Sequence, residues 1–170
     1  MVYYIWLLRI AHVVAGVFWV GGTLVMTFFV VPTIGAIGEA GQKFVGHLMN
    51  NLRFSQRMSA AAGVTGLAGI LLYWHDSAAF TSAWMRSGAG IGFGIGGVFG
   101  LIGFAYGLMI GRVTKSMAQL GGQMQGNPTQ EQMTEMRALQ VKQGTYSKIA
   151  AAALILSLIF MAIARYMGLA

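Results

Sequence analysis

Apolar residues fall into four long blocks along the chain, separated by polar stretches. The first covers about 3–31 and ends at Pro32. The others cover about 58–74, 88–110 and 149–167. Each is near or above the roughly 20 residues an α-helix needs to cross a bilayer. The second is the shortest, and its start can extend back toward Phe54. No proline interrupts any block. The pattern predicts an all-α, integral membrane four-helix bundle, up-down-up-down, with 1–170 as one domain.

Two of the connections have a helical period of their own. Within 42–52, apolar residues recur at 44, 45, 48, 49 and 52. This predicts an amphipathic first loop, a short helix lying in the membrane interface. In the third loop, Asn127 stands before Pro128, a capping residue followed by a proline at the first helical position. Met133, Met136, Leu139 and Gln140 continue at helical spacing. Spans three and four therefore extend beyond the membrane as a cytoplasmic helical hairpin. Span three runs on through Leu120, and the turn runs from Gly121 and Gly122 to Asn127.

The apolar pattern is broken most sharply inside span one, at Arg9 and His12. Ionisable side chains are expensive in a bilayer and normally face the bundle interior, a partner, a cofactor or water. Three residues apart, these two share one helix face. Gly16, Trp19, Thr23 and Thr27 continue it. Span three carries a glycine ladder, with Gly88, Gly92, Gly96 and Gly100, then Gly103, Gly107 and Gly111 after a one-residue shift. Small residues at this spacing let helices approach closely in lipid, within one chain or between copies.

Composition agrees with a membrane protein: 56% of residues are hydrophobic and 9% charged, against about a quarter charged in soluble domains. The chain has no cysteine, which excludes disulfides, thiolate metal sites, iron–sulfur clusters and covalent haem attachment. The net charge of +7 does not imply nucleic-acid binding, because the basic residues are scattered at span ends. Eight of the eleven lie in the first and third loops: Lys43, Arg53, Arg57, Arg112, Lys115, Arg137, Lys142 and Lys148. The positive-inside rule makes those loops cytoplasmic and puts both termini outside, as expected for a bacterial inner membrane protein. Span one has no basic start and no cleavage site of the signal-peptide kind.

Arg9-Ile10-Ala11-His12, then Phe18-Trp19-Val20-Gly21-Gly22, then Val30-Val31-Pro32 resemble the first helix of a bacterial membrane group. That group includes CopD-type copper-resistance proteins and HemJ-type protoporphyrinogen oxidases. The end of span three, Tyr106 to Gly111-Arg112 and Lys115, is similar to the HemJ pattern. There a His follows the Tyr, where this chain has Gly107, and a Lys stands near the start of helix three, where this chain has Arg86. The resemblance implies that His12 is a ligand of haem b.

The residues themselves leave several chemistries open. An imidazole at position 12 can ligate haem iron or copper, or hydrogen-bond a neighbouring helix. Gly16 would leave room for a flat ring beside it. Arg9, Arg86 and Arg165 come from three helices and face one acidic residue on their side, Asp76. Haem propionates or lipid phosphates would pair with them. Tyr106 and Trp19 are expected to line the pocket. His75, followed by Asp76, is a second possible metal ligand, whereas His47 falls on the opposite side. Met117, Met124, Met133 and Met136 read as hairpin packing. No catalytic triad, paired carboxylate, phosphate loop or zinc motif is present, and all four acids lie in loops.

The expectation is a b-type haem protein with an electron-transfer or porphyrin-related redox role, an oxidoreductase if it is an enzyme. The alternatives are a copper-handling protein and an accessory or scaffold subunit. Partners are membrane lipids and either further copies of the chain, through span three, or other subunits of a membrane complex.

Overall fold

In the computed structural model, residues 2–124 and 128–168 are described, and helices account for nearly all of them, with no strand among them. Six α-helices follow in order: α1 (Val2–Val25), α2 (Val31–Ala36), α3 (Glu39–Gly46), α4 (Phe54–Asp76), α5 (Gly88–Gln123) and α6 (Gln130–Ile163). Helix α1 packs chiefly on α4, and α5 chiefly on α6. Thinner contacts join α4 to α5 and α1 to α6.

Three helical stretches are long and apolar enough to cross a membrane: Val2–Ala36, Gly88–Gln123 and Gln130–Tyr166. Helix α4 is a 23-residue helix but not one of these three. Its polar ends, Ser55-Gln56-Arg57 and His75-Asp76, and its Gly, Ser and Thr content lower its hydropathy. Large apolar side chains point outward on every long helix, among them Val17, Leu67, Leu101 and Leu158. Outward-facing apolar surface on this scale suits lipid rather than water. At 1.5 Å per residue, the 36 residues of α5 reach about 54 Å. That exceeds a hydrocarbon core of about 30 Å.

The first span does not end at Pro32. A π-helical turn, Met26–Val30, precedes it, and the helix continues as α2. Proline has no N–H and its ring crowds the carbonyl four residues earlier. Widening the turn relieves that crowding without ending the helix. The Thr33 hydroxyl then donates to the Phe29 carbonyl at 2.7 Å. Past a bend at Gly38, the first loop is helical as α3, with a second π-turn at His47–Asn51.

The start of α6 also differs from expectation. Asn127 lies outside the described residues, and Pro128 precedes the helix rather than opening it. The N-cap is Thr129, whose hydroxyl accepts from the Gln132 N–H while the Gln132 side chain accepts from the Thr129 N–H. This reciprocal capping box satisfies two helix-end donors, where Asn127 alone could satisfy one. Gly121 and Gly122 still belong to α5.

The core is thin and built of small residues. Trp19 and Val20 of α1, Ala62 of α4 and Leu154 of α6 form its centre, with Phe104 and Met58 against them. The glycine ladder explains the closeness of α5 and α6. A Cβ at Gly92 would meet Ala164, one at Gly96 would meet Met161, and one at Gly103 would meet Leu154 at 2.6 Å. The Ser157 hydroxyl donates to the Gly96 carbonyl at 2.8 Å across this seam. At Gly92, Gly96 and Gly103 the ladder is covered by the chain's own Ala164, Met161 and Leu154.

Candidate functional site

His12 is half-buried and docks on α4. Its Nδ1 lies 2.8 Å from the Thr65 carbonyl oxygen. A carbonyl can only accept, so Nδ1 carries the proton. In the neutral ring Nε2 then holds the free lone pair, the arrangement found in metal-ligating histidines. The Thr65 carbonyl is reachable because the residue one turn later is Gly69. A Cβ there would stand 2.9 Å from His12 Cε1. Without one, the imidazole lies against the α4 backbone.

The contact is reciprocal. One turn after His12, a Cβ on Gly16 would meet the Thr65 methyl at 3.4 Å. The space beside Gly16 is thus taken by Thr65, not left for a flat ring. The pairs His12/Gly16 and Thr65/Gly69 mesh as small residues do between membrane helices. The sequence reading missed Thr65 and Gly69, although a Thr and a Gly four apart on an apolar helix is a readable signal.

Arg9 and Arg165 are brought together. They line an open recess of about 420 Å³ with His75, Asp76, Trp84 and Phe93. The lining residues come from five parts of the chain: the start of α1, the end of α4 (both His75 and Asp76), the turn at Ala83–Arg86, the start of α5 and the turn Ala164–Tyr166. The indole of Trp84 stacks on Phe93, with centroids 6.3 Å apart, and meets Tyr73 edge-on at 5.4 Å. His75 Nδ1 is 3.1 Å from Asp76 Oδ1. Neither Arg9 nor Arg165 makes an ion pair among the described residues. Two such guanidinium groups over one recess suit a carboxylate or phosphate ligand.

Other expected members stand elsewhere. Arg86 is exposed at the end of its turn and does not line the recess. Tyr106 sits on the α5–α6 seam, edge-on to Tyr146 at 5.5 Å. Phe104, two residues earlier, takes the position against Trp19, with centroids 6.3 Å apart. Residues 104 and 106 point to different faces of a helix, so one face of α5 cannot present both. No group of three or more His, Cys, Asp and Glu that could hold a metal is found among the described residues.

Trp19 instead lines a second cavity, of about 210 Å³, near the other end of α1. Met26, Met58, Phe104, Gly107 and Ser147 also line it. His12 lines neither space.

No family model, curated protein or solved structure matches this chain.

Proposed function

We propose that the protein is a four-span bundle of the bacterial inner membrane that binds haem b and serves an electron-transfer or porphyrin-related redox role. One observation carries the reading: the His12 Nδ1–H bond to the Thr65 carbonyl, which fixes the ring and leaves the Nε2 lone pair unshared in the neutral imidazole. His12 would hold the iron, and Arg9 and Arg165 would take the propionates. Haem held there would supply a one-electron couple, and the His12 imidazole with its hydrogen bond would tune its potential. The chain's own part is to hold the imidazole in one tautomer and to place cations where carboxylates arrive.

Haem is favoured over copper on ligand number. Haem needs one protein nitrogen, whereas a copper site with His, Asp or Glu ligands draws several, and no group of three or more such residues is found among the described residues; methionine thioethers are outside that comparison. The first-span resemblance is shared by CopD- and HemJ-type proteins and does not separate the two metals; the likeness of the end of span three to HemJ-type proteins supports haem. In this reading the termini lie outside and the α5–α6 extension is cytoplasmic.

The test is a reduced-minus-oxidised visible spectrum of protein purified from haem-replete cells. A Soret and α-band signal is expected, lost in His12→Ala. The Arg9→Gln, Arg165→Gln double variant should keep the band positions and lower haem occupancy several-fold. A colourless wild type overturns the reading and leaves His12 as a clasp between α1 and α4.

A further inference from the structure

The cavity near the far end of α1 has a chemistry of its own. It lies between the second half of α1, the start of α4, the middle of α5 and the middle of α6. No described residue lining it is charged. Its walls are mostly apolar, from Met26, Met58, Phe104 and Leu108 among others. At about 210 Å³ it exceeds the roughly 150 Å³ that admits a benzene ring in an apolar protein cavity.

Within this apolar lining, polar groups lack partners. Trp19 is 8% exposed, and its indole N–H makes no hydrogen bond among the described residues. Ser147 is 9% exposed, and its hydroxyl has no partner there either. Neither polar atom is fully sealed off, and both residues line the same space. Gln143 donates its Nε2–H to the Thr114 hydroxyl at 2.9 Å, which leaves its Oε1 as an acceptor at the same wall. A donor set in an apolar lining has little water to compete for it, so a ligand that supplies an acceptor gains a hydrogen bond there.

The glycines of α5 divide accordingly. Gly92, Gly96 and Gly103 are needed for close packing, because a Cβ on Gly96 or Gly103 would press on α6 and one on Gly92 on the turn that follows it. Gly107 and Gly111 are not, because a Cβ on either would meet nothing within 4 Å. Both line the cavity. Their absent side chains keep space open rather than bring helices together.

We infer that this cavity binds a neutral, lipid-soluble ring compound bearing carbonyl oxygens, of the quinone class. The ring lies among Phe104, Met26 and Met58, and its carbonyl oxygens accept from the Trp19 N–H and the Ser147 hydroxyl. An uncharged lining excludes a phosphate or carboxylate ligand, which would lose its hydration without compensation. The site is separate from His12, so it does not depend on haem binding.

The test uses the full chain in lipid nanodiscs, with calorimetric titration against empty nanodiscs. Two probes share one ring system: menadione, with two carbonyls, and 2-methylnaphthalene, with none. Menadione should bind saturably at one per chain, about tenfold tighter than the hydrocarbon, as two modest hydrogen bonds predict. Ser147→Ala should weaken menadione several-fold and leave 2-methylnaphthalene unchanged. Gly107→Leu should abolish both, because the cavity is filled without a clash. His12→Ala should bind menadione like the wild type, whatever its spectrum. Equal affinity for the two probes, or menadione binding unaltered in both Ser147→Ala and Gly107→Leu, overturns the proposal.

Discussion

At the scale of single residues, the missing side chain at position 69 does as much as the imidazole at position 12. A helical carbonyl already accepts one bond from the amide four residues on, and its second lone pair is normally screened by side chains. Gly69 removes that screen from Thr65, and His12 takes the free lone pair. The sequence made Arg9 and His12 conspicuous because charge and imidazole are rare in apolar helices. Gly69 is less conspicuous: a Thr and a Gly four apart are readable as a packing signal, but its role against His12 arises only when α4 lies against α1. Gly69→Ala tests this. Alanine favours helix by about 1 kcal/mol over glycine, so on propensity alone the variant gains stability. The structure predicts the reverse. A Cβ 2.9 Å from the ring displaces His12 and breaks its bond, a net loss of about 1–2 kcal/mol in thermal unfolding. The ¹⁵N spectrum of His12 should show the Nδ1–H tautomer in the wild type and lose it in Gly69→Ala. A variant that is more stable with an unchanged tautomer contradicts the clasp.

At the scale of elements, spacing revealed which segments are helical but not how their ends behave. Helix existence followed from apolar period over long stretches, the most robust sequence signal. The ends turn on local competition. Pro32 reads as a stop, yet the π-turn before it lets the helix continue. Asn127 before Pro128 reads as a cap, yet Thr129 with Gln132 makes two bonds instead of one. The glycine ladder shows the same limit. One sequence motif serves two purposes, and the division depends on which helix stands opposite each residue. Substitutions separate them. Gly103→Val forces a side chain onto Leu154, and should lower stability by about 1–3 kcal/mol. Gly107→Ala meets no neighbour and should be neutral or stabilising by up to about 1 kcal/mol. Chemical denaturation in detergent reads both. Similar losses at the two positions would mean that α5 packs along its whole glycine face.

At the scale of the whole molecule, charge and architecture bear on one question, the direction of the chain in the membrane. Helices α5 and α6 are each longer than a hydrocarbon core is thick, and the basic residues Arg112, Lys115, Arg137, Lys142 and Lys148 lie in the halves nearest the connection between them. The recess of Arg9, Arg165 and Trp84 lies at the opposite ends of the same helices. Its aromatic residues are of the kind that settle at a membrane–water boundary. A basic hairpin is drawn to the cytoplasmic face, both by the positive-inside rule and by the anionic surface of that leaflet. The chain has no cysteine, so single-cysteine variants report without background. Thr81→Cys lies in the exposed connection beside the recess, and Glu135→Cys at an exposed position in the first half of α6. With a membrane-impermeant maleimide, Thr81→Cys should label in intact cells, and Glu135→Cys only after the membrane is opened. The opposite pattern inverts the chain and puts Arg9 and Arg165 on the cytoplasmic side. Any anionic ligand of the recess would then have to arrive from within the cell, and the five hairpin cations would face outward against the charge rule. Labelling of both sites in intact cells would mean that α5 and α6 do not cross the bilayer as spans.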